Sequence, residues 1–458
     1  MTYVSRTLGA LALAATLLIS QVVPLKGDQA PPVNVPGIDK PVIVVTGSVT
    51  GTENWTNNFY YVLRGAVFVQ AGGTLNIQAG TRVIGESGSV GTLIVLRGGR
   101  LNAIGTREQP IVFTSDQAIG DRNRGDWGGL IINGRAPVNL EGGEGFGEAD
   151  TGVYGGNDPN DNSGTLRYVR VEFAGVEFSP DNELNGIAFQ GVGRGSTFEY
   201  LQVHMNRDDA FEWFGGTADI KYAVASNAAD DSFDWTFGWT GRAQFLVVQQ
   251  RGDDGDNGIE ADNNEFNNNL LPRSNPQVYN ITLCGDVDFN EGTESVRAAN
   301  LRRGTAFTIR NFLLTGFKGV GFQIETTNTA TTGQVDNGTS QMGSGVAWNV
   351  VNTRTGASAP MHSSVTPYIT SGRFPNIRMF PGVATAGNEA EIGLSTAACS
   401  NHDTPNFQPV GVATLAGGQL APIQPPNDGF FQVVTFIGGV PPAPADDWTR
   451  GWTSFAQR

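Results

Sequence analysis

The sequence predicts an all-β chain wound as a parallel β-helix, a β-solenoid with irregular loop excursions. Three observations point there. A short pattern returns four times, as Leu184-Asn185-Gly186-Ile187-Ala188-Phe189, Asp208-Asp209-Ala210-Phe211-Glu212-Trp213, Asp230-Asp231-Ser232-Phe233-Asp234-Trp235 and Asp256-Asn257-Gly258-Ile259-Glu260-Ala261. The Asn/Asp marker recurs after 24, 22 and 26 residues, at 185, 209, 231 and 257, with no helical spacing inside the period. Such a repeat is one coil stacked on the last. The 62 glycines and 23 prolines favour turns over helices. Short alternating runs closed by glycine, as in AGGTLNIQAGT, complete the argument, since glycine takes positive φ at a tight corner at little cost.

Taken in order, the chain opens with MTYVSRTLGALALAATLLIS, one arginine followed by an apolar run. That run is too short to span a membrane and follows the plan of a secretory signal peptide, expected over residues 1–26. Residues 27–40 read as a linker. The β pattern begins at Val42 and continues through Tyr61-Val62-Leu63, Thr74-Leu75-Asn76-Ile77, Thr92-Leu93-Ile94-Val95 and Arg100-Leu101-Asn102-Ala103. Residues 41–330 are assigned to the β-helix. Within them, 139–163 are turn formers and acids, a loop leaving the helix as a lid or a second cation site, and 263–275 form an Asn-rich loop. Residues 331–427 read as an irregular excursion packed on the solenoid, with a helical turn near Glu389-Ala390-Glu391-Ile392. Residues 428–458 read as a final strand and a C-terminal cap in which Trp448 and Trp452 cover the last coil.

The runs GTLIVLRGGRLNAIGTREQPIVFTSD and DWGGLIINGRAPVN, with FFQVVTFIGG and DDWTRGWTSF near the end, resemble secreted bacterial right-handed parallel β-helix proteins of a largely uncharacterised group. The resemblance implies the hand of the helix and covers roughly the chain beyond the leader. It brings no catalytic assignment.

Alternation places the chemistry. Residues two apart on a strand share a face, so Ile187/Phe189, Phe211/Trp213, Phe233/Trp235 and Ile259/Ala261 point into the coil. Ala188, Glu212, Asp234 and Glu260 then point out. Coils stack about 4.8 Å apart, so three carboxylates form a ladder. Two such charges repel by about 0.9 kcal/mol in water and about 3.5 at an effective dielectric near 20. A bound cation, protonation or plain solvation would each offset this. Ca²⁺, which takes oxygen ligands in flexible number, is the expected cofactor, with Asp208, Asp209, Glu212, Asp230, Asp231, Asp234, Asp256, Glu260 and Asp262 as its ligand set. The alternatives are a solvated acidic face, or Asn/Asp turns capping their own backbone.

Net charge of −15 argues against nucleic acid and anionic membrane surfaces. After residue 30 no apolar run is long enough to span a membrane, so no span is expected in the mature chain. Export places the protein in the periplasm, at the cell surface or outside the cell. There the two cysteines, Cys284 and Cys399, are expected to form a disulfide.

Trp213 and Trp235 read as internal stacking positions, and Phe237 and Trp239 as an exposed patch for a glycan or cell-surface component. Paired carboxylates here invite comparison with polysaccharide hydrolases, but the Gly-His-Gly and Arg-x-Lys motifs of the β-helix polygalacturonases are absent. A lyase would need a base such as His204, Arg207, Lys221 or Arg251; on an unbroken strand His204 and Arg207 cannot share a face. Asp254-Gly255-Asp256-Asn257-Gly258 starts like a calcium loop but lacks the later ligands. The leading expectation is a non-catalytic binding or structural protein holding Ca²⁺. A cation-dependent polysaccharide lyase or hydrolase, and a purely architectural surface protein, are the alternatives.

Overall fold

The computed structural model describes residues 35–179, 182–286, 292, 294–348, 360–380, 401–409 and 420–457. Among these, 23 strands join one parallel sheet wrapped as a right-handed β-helix. The sheet has three faces. The first stacks Thr92–Val95, Gly129–Asn133, Ile187–Gln190, Phe211–Phe214, Phe233–Thr236, Ile259–Ala261, Arg297–Leu301 and Val320–Ile324. The second begins with Thr52–Trp55, Thr74–Gln78 and Arg100–Ile104, and the third includes Arg82–Gly85 and Ile111–Ser115. From Gly164–Glu172 onward single long strands supply both: Thr197–His204, Ile220–Ser226, Arg242–Gln249, Gln277–Cys284 and Thr308–Thr315.

Each long strand bends at one left-handed residue: Tyr168, Tyr200, Tyr222, Phe245, Asn280 and Asn311, with φ between 49° and 62°. That conformation costs a non-glycine residue roughly 1–2 kcal/mol. Repetition at one register offsets the cost, because the side chains stack. Tyr168 lies 4.3 Å from Tyr200, Tyr200 4.3 Å from Tyr222, and Tyr222 5.0 Å from Phe245. Further along, asparagine tolerates the conformation, and its amide bonds the covering chain, Asn280 to Phe436 O at 3.0 Å and Asn311 to Ile423 O at 2.9 Å.

The inward positions fill as alternation predicts. Ile187, Phe189, Phe211, Trp213, Phe233, Trp235, Ile259 and Ala261 all lie in the main core. Phe189 stacks on Trp213 at 5.2 Å and Phe211 on Phe233 at 5.2 Å.

Two boundaries differ from expectation. The parallel sheet runs past residue 330, through Gln341–Trp348 to Ile377–Phe380, with a helix at Thr329–Asp336 before them. Small and polar residues there hide the alternation, but register on the previous coil keeps the strands paired. The segment 428–457 contains no strand, and its two tryptophans pack on the central coils instead of the last one. It runs along the flank of the central coils: Trp448 meets Tyr222 edge-on at 5.4 Å, and Trp452 meets Tyr168 at 5.7 Å and Tyr200 at 6.2 Å. The aromatic row at the left-handed bends is the apolar surface that draws the two tryptophans there. No described helix is long and apolar enough to cross a membrane. Residues 1–26, Glu389 to Ile392 and Cys399 lie outside the described residues.

Candidate metal centre

The Asn/Asp marker at each return holds neighbouring coils together. Asp209 accepts a hydrogen bond through Oδ1 from the backbone N–H of Asp231 at 2.8 Å, and Asp231 accepts one from Asn257 N–H at 2.6 Å. The side chains therefore satisfy the next coil, not their own turn. This position is deeply shielded, with Asp209 6% and Asp231 3% exposed.

Three residues on, the outward ladder forms in register: Ala188, Glu212, Asp234 and Glu260 are direct partners on successive strands. The same row is Ile94 and Ile131 upstream and Asn300 and Gln323 downstream. Carboxylate oxygens gather in four overlapping groups, each within 4.8 Å: Asp208/Asp209/Asp230, Asp209/Glu212/Asp234, Asp230/Asp231/Asp256 and Asp231/Asp234/Glu260.

The face is outward but only partly open to solvent. Glu212 is only 8% exposed. Asp234 Oδ1 is buried with no hydrogen-bond partner among the described residues. The cover comes from loop 139–163. Its hairpin, Glu144–Phe146 with Val153–Gly155, lies over this sheet, and Tyr154 packs with Ile94, Ile131, Ala188 and Phe214. The lid carries Glu148 toward the ladder, and the neighbouring hairpin, Glu177–Ser179 with Asn182–Glu183, brings Glu183. The acidity of loop 139–163 signalled the first; nothing in the sequence pattern signalled Glu183.

Electrostatics divide the ladder. At one end Arg302 donates to Glu260 and to Asp262, the latter at 2.8 Å, and Arg303 donates to Asp262 at 2.8 Å. Asp262 is thus held by two arginines and joins none of the four oxygen groups. Among the expected ligands Asp262 is therefore already engaged, by arginines 40 and 41 residues further along the chain. By contrast, Asp208, Asp209, Glu212, Asp230, Asp231 and Asp234 form no ion pair with a described basic side chain. Burial, and then neighbouring carboxylates, push all six upward in pKa. Asp230 is raised to about 6, and Glu260 and the lid's Glu148 to about 7.

Residues 47–376, which carry the coils and this ladder, match the family described as a pectate-lyase-like beta helix domain. The match covers well over half of the chain. The chain belongs to the pectate-lyase-like β-helix family. No curated protein and no solved structure gives a significant match.

Within this β-helix family member, the four candidate bases lie apart from the ladder or are already engaged. His204 sits on the third face, with Nδ1 2.9 Å from Ser226 Oγ and Nε2 2.8 Å from Ala456 O, and burial lowers its pKa to about 4. Lys221 lies 4.4 Å from the Phe430 ring. Arg207 pairs with Glu177 at 2.7 Å, and Arg251 donates to Gln457 at 2.7 Å.

The two residues expected to form an exposed aromatic patch are placed differently. Phe237 is half-buried and stacks at 6.5 Å on Phe266, which is 78% exposed. Trp239 is not exposed. Gly238, at φ 92°, turns the chain inward, so Trp239 stacks on Trp213 at 4.3 Å and donates to Ala218 O. Cys284 is buried at the end of Gln277–Cys284, and its expected partner lies outside the described residues.

Proposed function

We propose that the protein is an exported β-helix of non-catalytic binding or structural role that holds Ca²⁺ in the acidic ladder. One observation carries the reading. Six carboxylates from two consecutive returns are gathered beside the lid with no arginine or lysine among the described residues paired to them, while Glu260 and Asp262 next to them have Arg302 and Arg303. Shielded carboxylates at this spacing need positive charge or protons. An all-oxygen donor set offered by side chains on separate coils suits a hard cation with flexible coordination. The ion would fasten coil to coil and ladder to lid, and the Phe237/Phe266 pair at the rim offers a stacking surface for a glycan or cell-surface component. The leader-like segment supports export.

The family match favours a second reading, action on a polysaccharide. Paired carboxylates about 5–9.5 Å apart would serve hydrolysis, but the lid over Glu212 and the engaged candidate bases weigh against turnover.

Thermal unfolding of the wild type and of Glu212→Gln/Asp234→Asn/Glu260→Gln, in EDTA and in millimolar CaCl₂, tests the first reading. A ligand at about 100 times its dissociation constant adds roughly 2.7 kcal/mol. The midpoint should rise with calcium in the wild type alone. No rise in either protein rejects the ion site. Calcium-dependent product release from a polysaccharide panel, lost in Asp231→Asn with the fold intact, would establish the second reading.

A further inference from the structure

Behind the turns that carry the ladder lies a cavity of about 480 Å³. Four arginines line it, Arg122, Arg124, Arg207 and Arg251, with two acids, Asp253 and Asp254. In a chain of net charge −15, this concentration of guanidinium groups needs a reason.

Two of the arginines build the wall. Arg124 donates to Asn227 O at 2.9 Å and forks onto both oxygens of Asp253 at 3.1 and 3.2 Å. Arg251 reaches Gln457 at 2.7 Å and lies 3.5 Å from the same Asp253. Asp253 is therefore committed to the wall. The other two arginines hold donors in reserve. Arg207 gives Nη2 to Glu177 and is 52% exposed. Arg122 is half-buried, gives only Nε to Gln117 O at 3.2 Å, and lies 5.8 Å from the Phe173 ring. Its terminal nitrogens have no hydrogen-bond partner among the described residues, and no carboxylate there is close enough to pair with it.

Arg122 feels Glu172 and Asp126 only from beyond pairing distance; a half-buried cation with no direct ion pair that stays open to a cavity is placed to receive an anion. Guanidinium forks match the oxygens of carboxylate, sulfate and phosphate. The volume falls within the roughly 300–1,000 Å³ of small-molecule sites, more than a bare ion needs. We propose that this cavity binds an oxyanion carried on an organic body, such as the acidic group of a charged saccharide, with Arg122 and Arg207 as its direct donors. The site shares no residue with the acidic ladder and requires no calcium there.

Isothermal titration of the full chain in EDTA, with glucuronate, glucose 6-phosphate, inorganic phosphate and glucose, tests the assignment and keeps it separate from the cation site. Binding is expected for glucuronate or glucose 6-phosphate and not for glucose; which of the two binds identifies the acidic group. Affinity should fall about tenfold in Arg122→Gln or Arg207→Gln, the loss of one charged hydrogen bond, and should weaken when salt is raised to about 0.5 M. Thermal midpoints verify folding. Should Arg122→Gln not fold, Arg207→Gln, altered at an exposed side chain, carries the test. No binding of any anion, unchanged affinity in the folded variants, or inorganic phosphate binding as tightly as the sugar acids would overturn the assignment.

Discussion

Glu212 and Asp234 are direct register partners on adjacent parallel strands, both on the outer side of the sheet; Glu212 is buried, and Asp234 is half-buried with its Oδ1 shut off from solvent. A hydrophobic pair there would be unremarkable. A carboxylate pair cannot remain doubly ionised and unaccompanied without strong repulsion, so the site should respond to protons, to cations and to the removal of either charge.

Protons come first. Asp230 is raised to about 6 and Glu148 and Glu260 to about 7, from ordinary values near 3.9 and 4.3. The folded state then holds more protons than the unfolded one across that window, and the stability they contribute is complete below about pH 4 and lost as pH rises through 6 to 7. Glu86, held low by Arg64, acts in the opposite sense, but only in the acid limb. In EDTA the thermal midpoint should therefore fall from pH 5 to pH 8. In millimolar calcium the fall should vanish, because deprotonated carboxylates take the ion instead. A midpoint in EDTA that is flat or rising between pH 5 and 8 would contradict this.

Removing one ladder charge should stabilise the calcium-free protein. Glu212→Gln keeps the shape of the side chain and relieves repulsion from Asp234, so urea unfolding in EDTA at pH 7.5 should show a gain on the order of 1–3 kcal/mol. The same variant should gain less from calcium than the wild type. A loss of stability in EDTA would mean that the bond from Asn185 Nδ2 to Glu212 Oε2 outweighs the repulsion.

Trp452 fastens the C-terminal segment to the flank. It is 1% exposed, meets Tyr168 and Tyr200 edge-on, and donates to Trp448 O at 2.7 Å. Trp452→Ala should cost about 3–5 kcal/mol, read as a lower urea midpoint. It should also expose the tyrosine row, seen as faster proteolytic removal of the segment after residue 430. An unaltered cleavage pattern would show that the segment is held by its hydrogen bonds to Gln202, Gln244 and His204 instead.

The two cysteines should be bridged in exported protein. Mass analysis after alkylation without reductant is expected to find no labelled cysteine, and reduction should lower stability by about 2–4 kcal/mol. Two labelled thiols would refute the Cys284–Cys399 pairing.

Much of this molecule was legible from residue order. The inward pairs, Phe211/Trp213 and Phe233/Trp235 among them, and the outward Glu212, Asp234 and Glu260 are where alternation puts them. Alternation is a local property of a strand: a residue's neighbours two positions away determine its face whatever the rest of the chain does. The repeat of 22 to 26 residues likewise carries the stacking register, because each coil must align its apolar pair with the last.

What lies over a face is a different matter. The sequence by itself determined the coil, its period and which carboxylates stack. Only the tertiary structure decided that Tyr154 and its hairpin pack beside them, that Arg302 and Arg303 take Asp262, that Trp239 turns inward, and that Trp448 and Trp452 clasp the flank rather than the end. Each depends on a partner tens to hundreds of residues away, and no local period records such contacts; whether a carboxylate is solvated, ion-paired or left awaiting a cation depends on that covering layer.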